Sequence, residues 1–179
     1  MPFLIIVTML VLVTLTSAYG AQSRAQGTAQ ASSQVTLAFM QLEGEIRYAT
    51  DIEPASDGNS PPDYFVKFES TWTQSAQGPL CTQVEYTSSG ILQQRTWPAS
   101  GSVPTAGWQV LASGLETTPL SANPFTLSDP NGSPWQLSVK LAAMSGTGSK
   151  APAAQSSFTI TSLDTTSSSL NQGFCGSAL

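Results

Sequence analysis

The sequence predicts an α+β protein in which a long N-terminal helix, apolar at first and amphipathic afterwards, packs on an antiparallel β-sheet. Two observations lead to this prediction. Between Pro2 and Pro54 the chain contains no proline, and its apolar residues recur at helical spacing. From Pro54 onward, short alternating runs are separated by proline and glycine, the pattern of strands and turns. We therefore expect a membrane-spanning half-helix at residues 1–20, an amphipathic half at 21–53 and an extracytoplasmic β-rich domain at 54–179.

The first 18 residues are apolar and uncharged, interrupted only by proline, threonine and serine. A helix of about 18 residues rises about 27 Å, close to the ~30 Å hydrocarbon core of a bilayer. A signal peptide also fits, because Ala18-Tyr19-Gly20 would permit cleavage before Ala21, although no basic residue precedes Phe3. The residues that we predict to anchor the chain in the membrane are Phe3, Leu4, Ile5, Ile6, Val7, Leu10 and Leu12.

The second half of the predicted helix carries an apolar stripe. Val35, Phe39, Leu42 and Ile46 are spaced by four, three and four residues, which places them on one helical face. We expect this stripe to form the helix side of the core. Pro54 should end the helix, because the residue before a proline avoids the helical conformation.

The remainder of the chain predicts strands and turns. We expect a loop at Pro54–Pro62 and a flexible connection at Ser145–Gln155. Ser88-Ser89-Gly90 joins two alternating runs, which predicts a β-hairpin. The predicted strands are 64–70, 81–87, 91–97, 108–112, 125–128, 135–141 and 157–163.

Composition limits the chemistry available to this protein. Charged residues make up 9 % of the chain, against roughly 25 % in typical soluble proteins. There is no histidine, which removes the commonest general base and metal ligand. The two cysteines, Cys81 and Cys175, are too few for a closed zinc site; a pair of buried thiols is possible, but with an export-type N-terminus we expect one disulfide.

Candidate catalytic and binding motifs are weak, and we predict no enzyme and no cofactor. Ser149 and Lys150 could form a catalytic Ser-Lys pair, but they lie in a Gly/Ser/Ala linker with no sign of the burial that would lower the pKa of the lysine. The tryptophans at 72, 97, 108 and 135 could bind carbohydrate, but each lies in or beside a predicted strand, so we expect core positions. Calcium binding is a further alternative, because a run of oxygen-bearing side chains offers ligands of the kind that calcium takes. Their spacing does not match an EF-hand loop, so we prefer the interpretation that they are solvated carboxylates. These side chains are Asp51, Glu53, Asp57, Asn59 and Asp63.

Nucleic-acid binding has little electrostatic support. The formal net charge is −5, and the basic residues are scattered along the chain. They are Arg24, Arg47, Lys67, Arg95, Lys140 and Lys150.

An apolar N-terminal helix that runs into an amphipathic one, and then into a β domain, resembles the type IV pilins and pseudopilins. The segment QLEGEIRYATDI (Gln41 to Ile52) is similar to the end of that helix in minor pseudopilins and actinobacterial-type prepilin-like proteins. The hairpin pattern V-x-Y-x-x-x-G-x-L-x-x-x-x-W, from Val84 to Trp97, is similar to the central hairpin of J-type minor pseudopilins. The basic leader, the Gly-Phe cleavage step and the early glutamate of these families are absent, and we expect Met1 to lie just past that glutamate.

The resemblance implies a subunit of a type IV pilus or of a filament like that of type II secretion. Its partners would be the membrane and other pilin-like subunits, which it would contact through the N-terminal helix. Its C-terminal domain would lie outside the cytoplasm, first on the cell membrane and then on a surface filament. The alternative is a secreted β-rich binding domain, released by cleavage after Gly20.

Overall fold

The chain folds into one long helix followed by antiparallel strands, as the sequence predicts. The computed structural model describes residues 2–56, 63–70, 78–116, 123–128, 134–144, 152–163 and 175. For residues 2–5, 24, 28, 31, 54–56, 143–144 and 152–154 the description covers the backbone alone. The elements are α1 (Pro2–Ile46), β1 (Ala49–Ser56), β2 (Tyr64–Ser70), β3 (Leu80–Tyr86), β4 (Leu92–Pro98), β5 (Gln109–Ala112), β6 (Phe125–Ser128), β7 (Gln136–Met144) and β8 (Pro152–Thr161).

The strands form two sheets instead of the single sheet that we expected. The five-stranded sheet has the order β1-β2-β3-β4-β5, and the three-stranded sheet has the order β6-β7-β8. Every neighbouring pair is antiparallel and consecutive in sequence, so each sheet is a simple meander. The two sheets share one hydrophobic core with α1, to which both contribute fully buried side chains such as Phe68 and Leu137.

The amphipathic half of α1 lies over this core. Val35, Leu42 and Ile46 are almost fully buried, and each such aliphatic side chain contributes about 1.5–3 kcal/mol by leaving water. Phe39 lies at the margin, where its ring stacks on Phe158 of β8 with centroids 4.1 Å apart. Ala38, which the predicted stripe omitted, is also buried, because it lies on the same helical face.

The helix ends at Ile46, seven residues before the predicted boundary at Glu53. The next segment is β1, so the predicted helix to Glu53 and the predicted loop at residues 54–56 are wrong. The rest of that predicted loop, residues 57–62, lies outside the described part of the chain. Ile52 is buried opposite Phe68 of β2, and alternate polar residues point to the other face of the sheet. Pro54 is tolerated within β1 because this is an edge strand, whose outer side makes no ladder bonds.

The predicted connection between the last two strands is also shorter than expected. β7 continues to Met144 and β8 begins at Pro152, with Ala142 opposite Gln155. Residues 152–155, which we expected to be flexible, therefore belong to a strand. Their Pro/Ala/Gln sequence gives no alternation, and pairing with the end of β7 decides their conformation. Residues 145–151 lie outside the described part of the chain.

The predicted hairpin forms between β3 and β4. Val84 pairs with Gln94, and Tyr86 pairs with Leu92. Gly90 has φ +76°, a left-handed conformation that favours glycine, and its N–H donates to the Thr87 carbonyl at 2.9 Å. The glycine of the pattern is therefore required by the turn itself.

Candidate functional site

The first two-thirds of α1 is the part of the chain that the β domain does not cover. The predicted anchor residues Ile6, Val7, Leu10 and Leu12 lie on it and are exposed, with Leu10 61 % accessible. Phe3, Leu4 and Ile5 lie in the same helix, but their side chains are outside the described residues. By length and composition, α1 is the one helix in the described part of the chain that is apolar enough to cross a membrane, and none of its apolar window is buried.

The polar side chains within the apolar segment find partners in their own helix. The hydroxyl of Thr14 donates to the carbonyls of Leu10 and Val11 at 3.0 and 2.9 Å. The Thr16 hydroxyl donates to the Leu12 carbonyl at 3.0 Å. A hydroxyl that is hydrogen-bonded within its own helix adds little to the free energy of placing that helix in hydrocarbon, where no water is present to accept the hydrogen bond. The threonines of this segment are therefore compatible with a membrane span.

The length of α1 separates the apolar segment from the β domain. Its 45 residues extend roughly 68 Å at 1.5 Å per residue. Between the apolar segment and Val35, the helix is rich in Ala, Ser, Gly and Gln, and its described side chains are mostly exposed. Arg24 is the only charged residue before Glu43. A polar helix with so few ion pairs is marginal alone in water.

One stripe of α1, which we name the outer seam, faces away from the core. Its members are spaced by three or four residues, are uncharged and are all exposed. They are Val11, Leu15, Tyr19, Gln22, Gln26, Ala29, Ser33, Leu37, Met40 and Gly44.

The seam is polar at Gln22, Gln26 and Ser33 and becomes apolar again beside the β domain. Leu37 is 64 % and Met40 62 % exposed, although Ala38 and Leu42 are buried on the opposite face. The two side chains are three residues apart and thus adjacent on the helix surface. Sequence reasoning missed them, although their i, i+3 spacing opposite the predicted stripe was a readable signal. The outer seam is the candidate functional surface of this chain.

A second candidate surface is the outer face of the five-stranded sheet, which is the face opposite α1. Arg95 there donates from Nε and Nη2 to Gln83 Oε1 at 3.1 and 2.7 Å, and from Nη1 to the Pro104 carbonyl. Its guanidinium lies 4.2 Å from the Trp108 ring centroid and 5.8 Å from that of Trp97. These contacts hold the segment between β4 and β5 against the sheet.

The disulfide that we expected joins Cys81 of β3 to Cys175, across 94 residues of sequence. Both cysteines are buried in a small cluster with Trp97, against which Ala99 and Val103 pack. Trp97 therefore occupies a core position, as we expected, and Trp108 and Trp135 are half-buried. Trp72 lies outside the described residues, as do Ser149 and Lys150.

The candidate calcium ligands that the structure describes do not all lie together. In β1, Asp51 lies opposite Glu69, and its Oδ1 accepts from the Ile52 N–H. Asp63 Oδ1 accepts from the Ser88 N–H, beyond the opposite end of β1, roughly 16 Å away along the strand. Burial, and then the nearby Glu69 and Glu53, raise the pKa of Asp51. Asp57 and Asn59 lie outside the described residues.

Glu45 is an acidic residue whose side chain lies against the core. Burial raises the pKa of its carboxyl above the usual value, and a hydrogen bond from Thr82 opposes that shift. Its Oε2 is buried without a hydrogen-bond partner among the described residues, and the same is true of Gln94 Oε1.

A shallow cleft of about 520 Å³ lies beside β7 and β8. Glu116 and Lys140 place opposite charges at its walls, and Leu141 and Ala142 contribute apolar surface. Gln155, Ser156 and Ser157 complete its lining.

Comparison with known proteins gives no relative for this chain. No protein-family model, no curated protein and no solved structure matches it.

Proposed function

We propose that this protein is a non-enzymatic, membrane-anchored subunit of a surface filament, similar in role to a minor pilin or pseudopilin. The apolar segment of α1 holds the subunit in the membrane before assembly. The outer seam then packs against the helices of neighbouring subunits, so that protein contacts replace lipid. The two sheets lie outside the cytoplasm and supply the exposed surface of the filament.

The observation that carries the proposal is the continuous outer seam. A simple membrane anchor needs apolar surface only within the bilayer, about 20 residues. Here Leu37 and Met40 make the stripe apolar again beside the folded domain, beyond the polar residues of its middle part, on the face that the domain leaves uncovered. Leaving two large apolar side chains in water has a cost that burial against a partner helix removes, at about 25 cal/mol per Å².

The composition of the intervening helix supports the same role. Alanine, serine and glycine allow helix backbones to approach closely, and glutamine amides can hydrogen-bond across a helix pair. The near absence of charge before Glu43 means that like helices would not repel one another when they pack side by side.

Cysteine crosslinking tests the seam directly. The two native cysteines are bonded to each other, so Leu37→Cys introduces a single free thiol. We expect oxidation in native membranes to give a covalent dimer, or an adduct with another subunit that carries an N-terminal apolar helix. Val110→Cys is the matched control, because Val110 is similarly exposed but lies on β5 and is not part of the seam. Equal crosslinking of the two variants, or none in either, would contradict the proposal.

The mature N-terminus distinguishes this proposal from a secreted domain. Mass spectrometry of membrane and culture-fluid fractions should find the protein in membranes with residues 1–20 retained. A form that starts at Ala21 in the culture fluid would replace the filament subunit with a secreted β-rich binding domain.

A further inference from the structure

Two buried oxygen atoms lie at the helix–sheet interface without a donor. Glu45 Oε2 on α1 and Gln94 Oε1 on β4 are both inaccessible to water and have no hydrogen-bond partner among the described residues. A buried acceptor left unpaired costs about 1–3 kcal/mol, so two in one interface require an explanation.

The strand register brings these two side chains toward the same place. The Thr82 hydroxyl bonds to the Glu45 carboxyl, which puts that carboxyl beside β3. Thr82 pairs with Thr96, and Val84 pairs with Gln94, so Gln94 is a diagonal neighbour of Thr82 on the core face. Diagonal neighbours on adjacent strands are about 7–8 Å apart at Cα, within reach of a long side chain.

The charged groups of neighbouring elements do not face Glu45. On α1, Glu43 and Arg47 form an ion pair with each other at the surface. Among the described residues of the five-stranded sheet, the titratable groups of the core face are Tyr64 and Tyr86, and burial together with Glu116 raises the pKa of Tyr86 to about 12. The charged side chains of that sheet lie on its outer face by strand alternation: Asp51, Glu53, Lys67, Glu69, Glu85 and Arg95. On the three-stranded sheet, Lys140 is exposed.

We propose that Glu45 in the folded protein keeps its proton to a higher pH than a free glutamate does, and donates it as a hydrogen bond to Gln94 Oε1. One proton then satisfies both oxygens, because the protonated carboxyl donates to Gln94 and its other oxygen accepts from Thr82. Loss of the proton would place a negative charge between α1 and the sheet and weaken their contact. The docking of the last turns of α1 on the β domain is thus linked to pH, independently of whether the chain forms filaments.

Infrared spectroscopy of the full chain in detergent tests the proton itself. At about pH 5.5, where a free glutamate is mostly ionised, we expect the C=O band of a protonated carboxylic acid, and we expect Glu45→Gln to remove most of it. Asp51→Asn is the matched control, because Asp51 also has a raised pKa but lies on the outer face, and most of the band should survive there. Absence of the band from the wild-type protein at that pH overturns the proposal, and so does a band of unchanged strength in Glu45→Gln.

Unfolding in urea gives a second readout. The folded state binds the Glu45 proton more tightly than the unfolded state, so stability falls as pH rises through the folded pKa. Between the pKa of Glu45 in the unfolded chain and its pKa in the folded protein, the unfolding equilibrium constant should increase by up to about tenfold per pH unit. Glu45→Gln should lose this component of the pH dependence and Asp51→Asn should retain it. The same pH dependence in the wild type and in Glu45→Gln would contradict the link.

Discussion

Arg95 joins three parts of the outer face through one planar guanidinium. It bonds twice to Gln83 on β3, once to the Pro104 carbonyl, and stacks on Trp108. A lysine at this position would keep the charge but lose the fork of donors and the stacking surface. Burial lowers the pKa of the guanidinium from its usual value, and the nearby Glu85 opposes the shift.

We therefore expect Arg95→Lys to reduce the free energy of unfolding by about 1–3 kcal/mol, because one ammonium group cannot replace the forked donors that reach both Gln83 and the Pro104 carbonyl. Tryptophan fluorescence during urea unfolding measures the change, and acrylamide quenching of Trp108 should increase. Lys140→Arg is the control, because Lys140 is exposed and the exchange there should change stability by less than about 0.5 kcal/mol. Equal stability of Arg95→Lys and the wild type would show that the network contributes little.

The helix α1 has two apolar faces with different tasks, and a matched pair of leucines separates them. Leu42 is 3 % exposed within the core, and Leu37 is 64 % exposed on the outer seam. We expect Leu42→Ala to lower the free energy of unfolding by about 2–5 kcal/mol through lost burial and a cavity. Leu37→Ala should change it by no more than about 0.5 kcal/mol. Urea unfolding of the monomer in detergent distinguishes them, and similar losses in both variants would mean that Leu37 is not free of the core.

At the same scale, sequence periodicity predicts elements better than it predicts their ends. Spacings of three and four residues located the buried face of α1, and alternation located seven strands, because both signals come from neighbouring residues. The end of α1 depends on Ile52, which follows Ile46 by six residues and is buried by pairing with β2. That contact is distant in sequence, and Pro54 gave the stronger local signal. The loop prediction for residues 152–155 failed for the same reason.

Within the whole molecule, the division of the strands into two sheets was not predictable from their patterns. Each predicted strand lies in a meander, so local turns explain the pairs. Which face of each sheet meets α1 is decided by contacts such as Phe39 with Phe158, over more than a hundred residues. The seam and the Glu45–Gln94 pair escaped prediction similarly, because exposure and orphaned oxygens appear only after the core is assembled. The disulfide was predictable, because two cysteines allow a single pairing.

That disulfide ties the C-terminal part of the chain to the middle of the five-stranded sheet. In the chain-entropy treatment, closing a loop of 94 residues stabilises the fold by up to about 4–5 kcal/mol. We expect reduction, or the double substitution Cys81→Ala and Cys175→Ala, to remove most of this stabilisation. Either change should also expose Trp97, which packs against the two cysteines. The measurements are the unfolding midpoint in urea and the tryptophan emission maximum, which should move to longer wavelength. The helix–sheet core does not include the pair, so circular dichroism should keep its native shape. Unchanged midpoints and emission would mean that Trp97 and the sheet are held by the Arg95 network rather than by the disulfide.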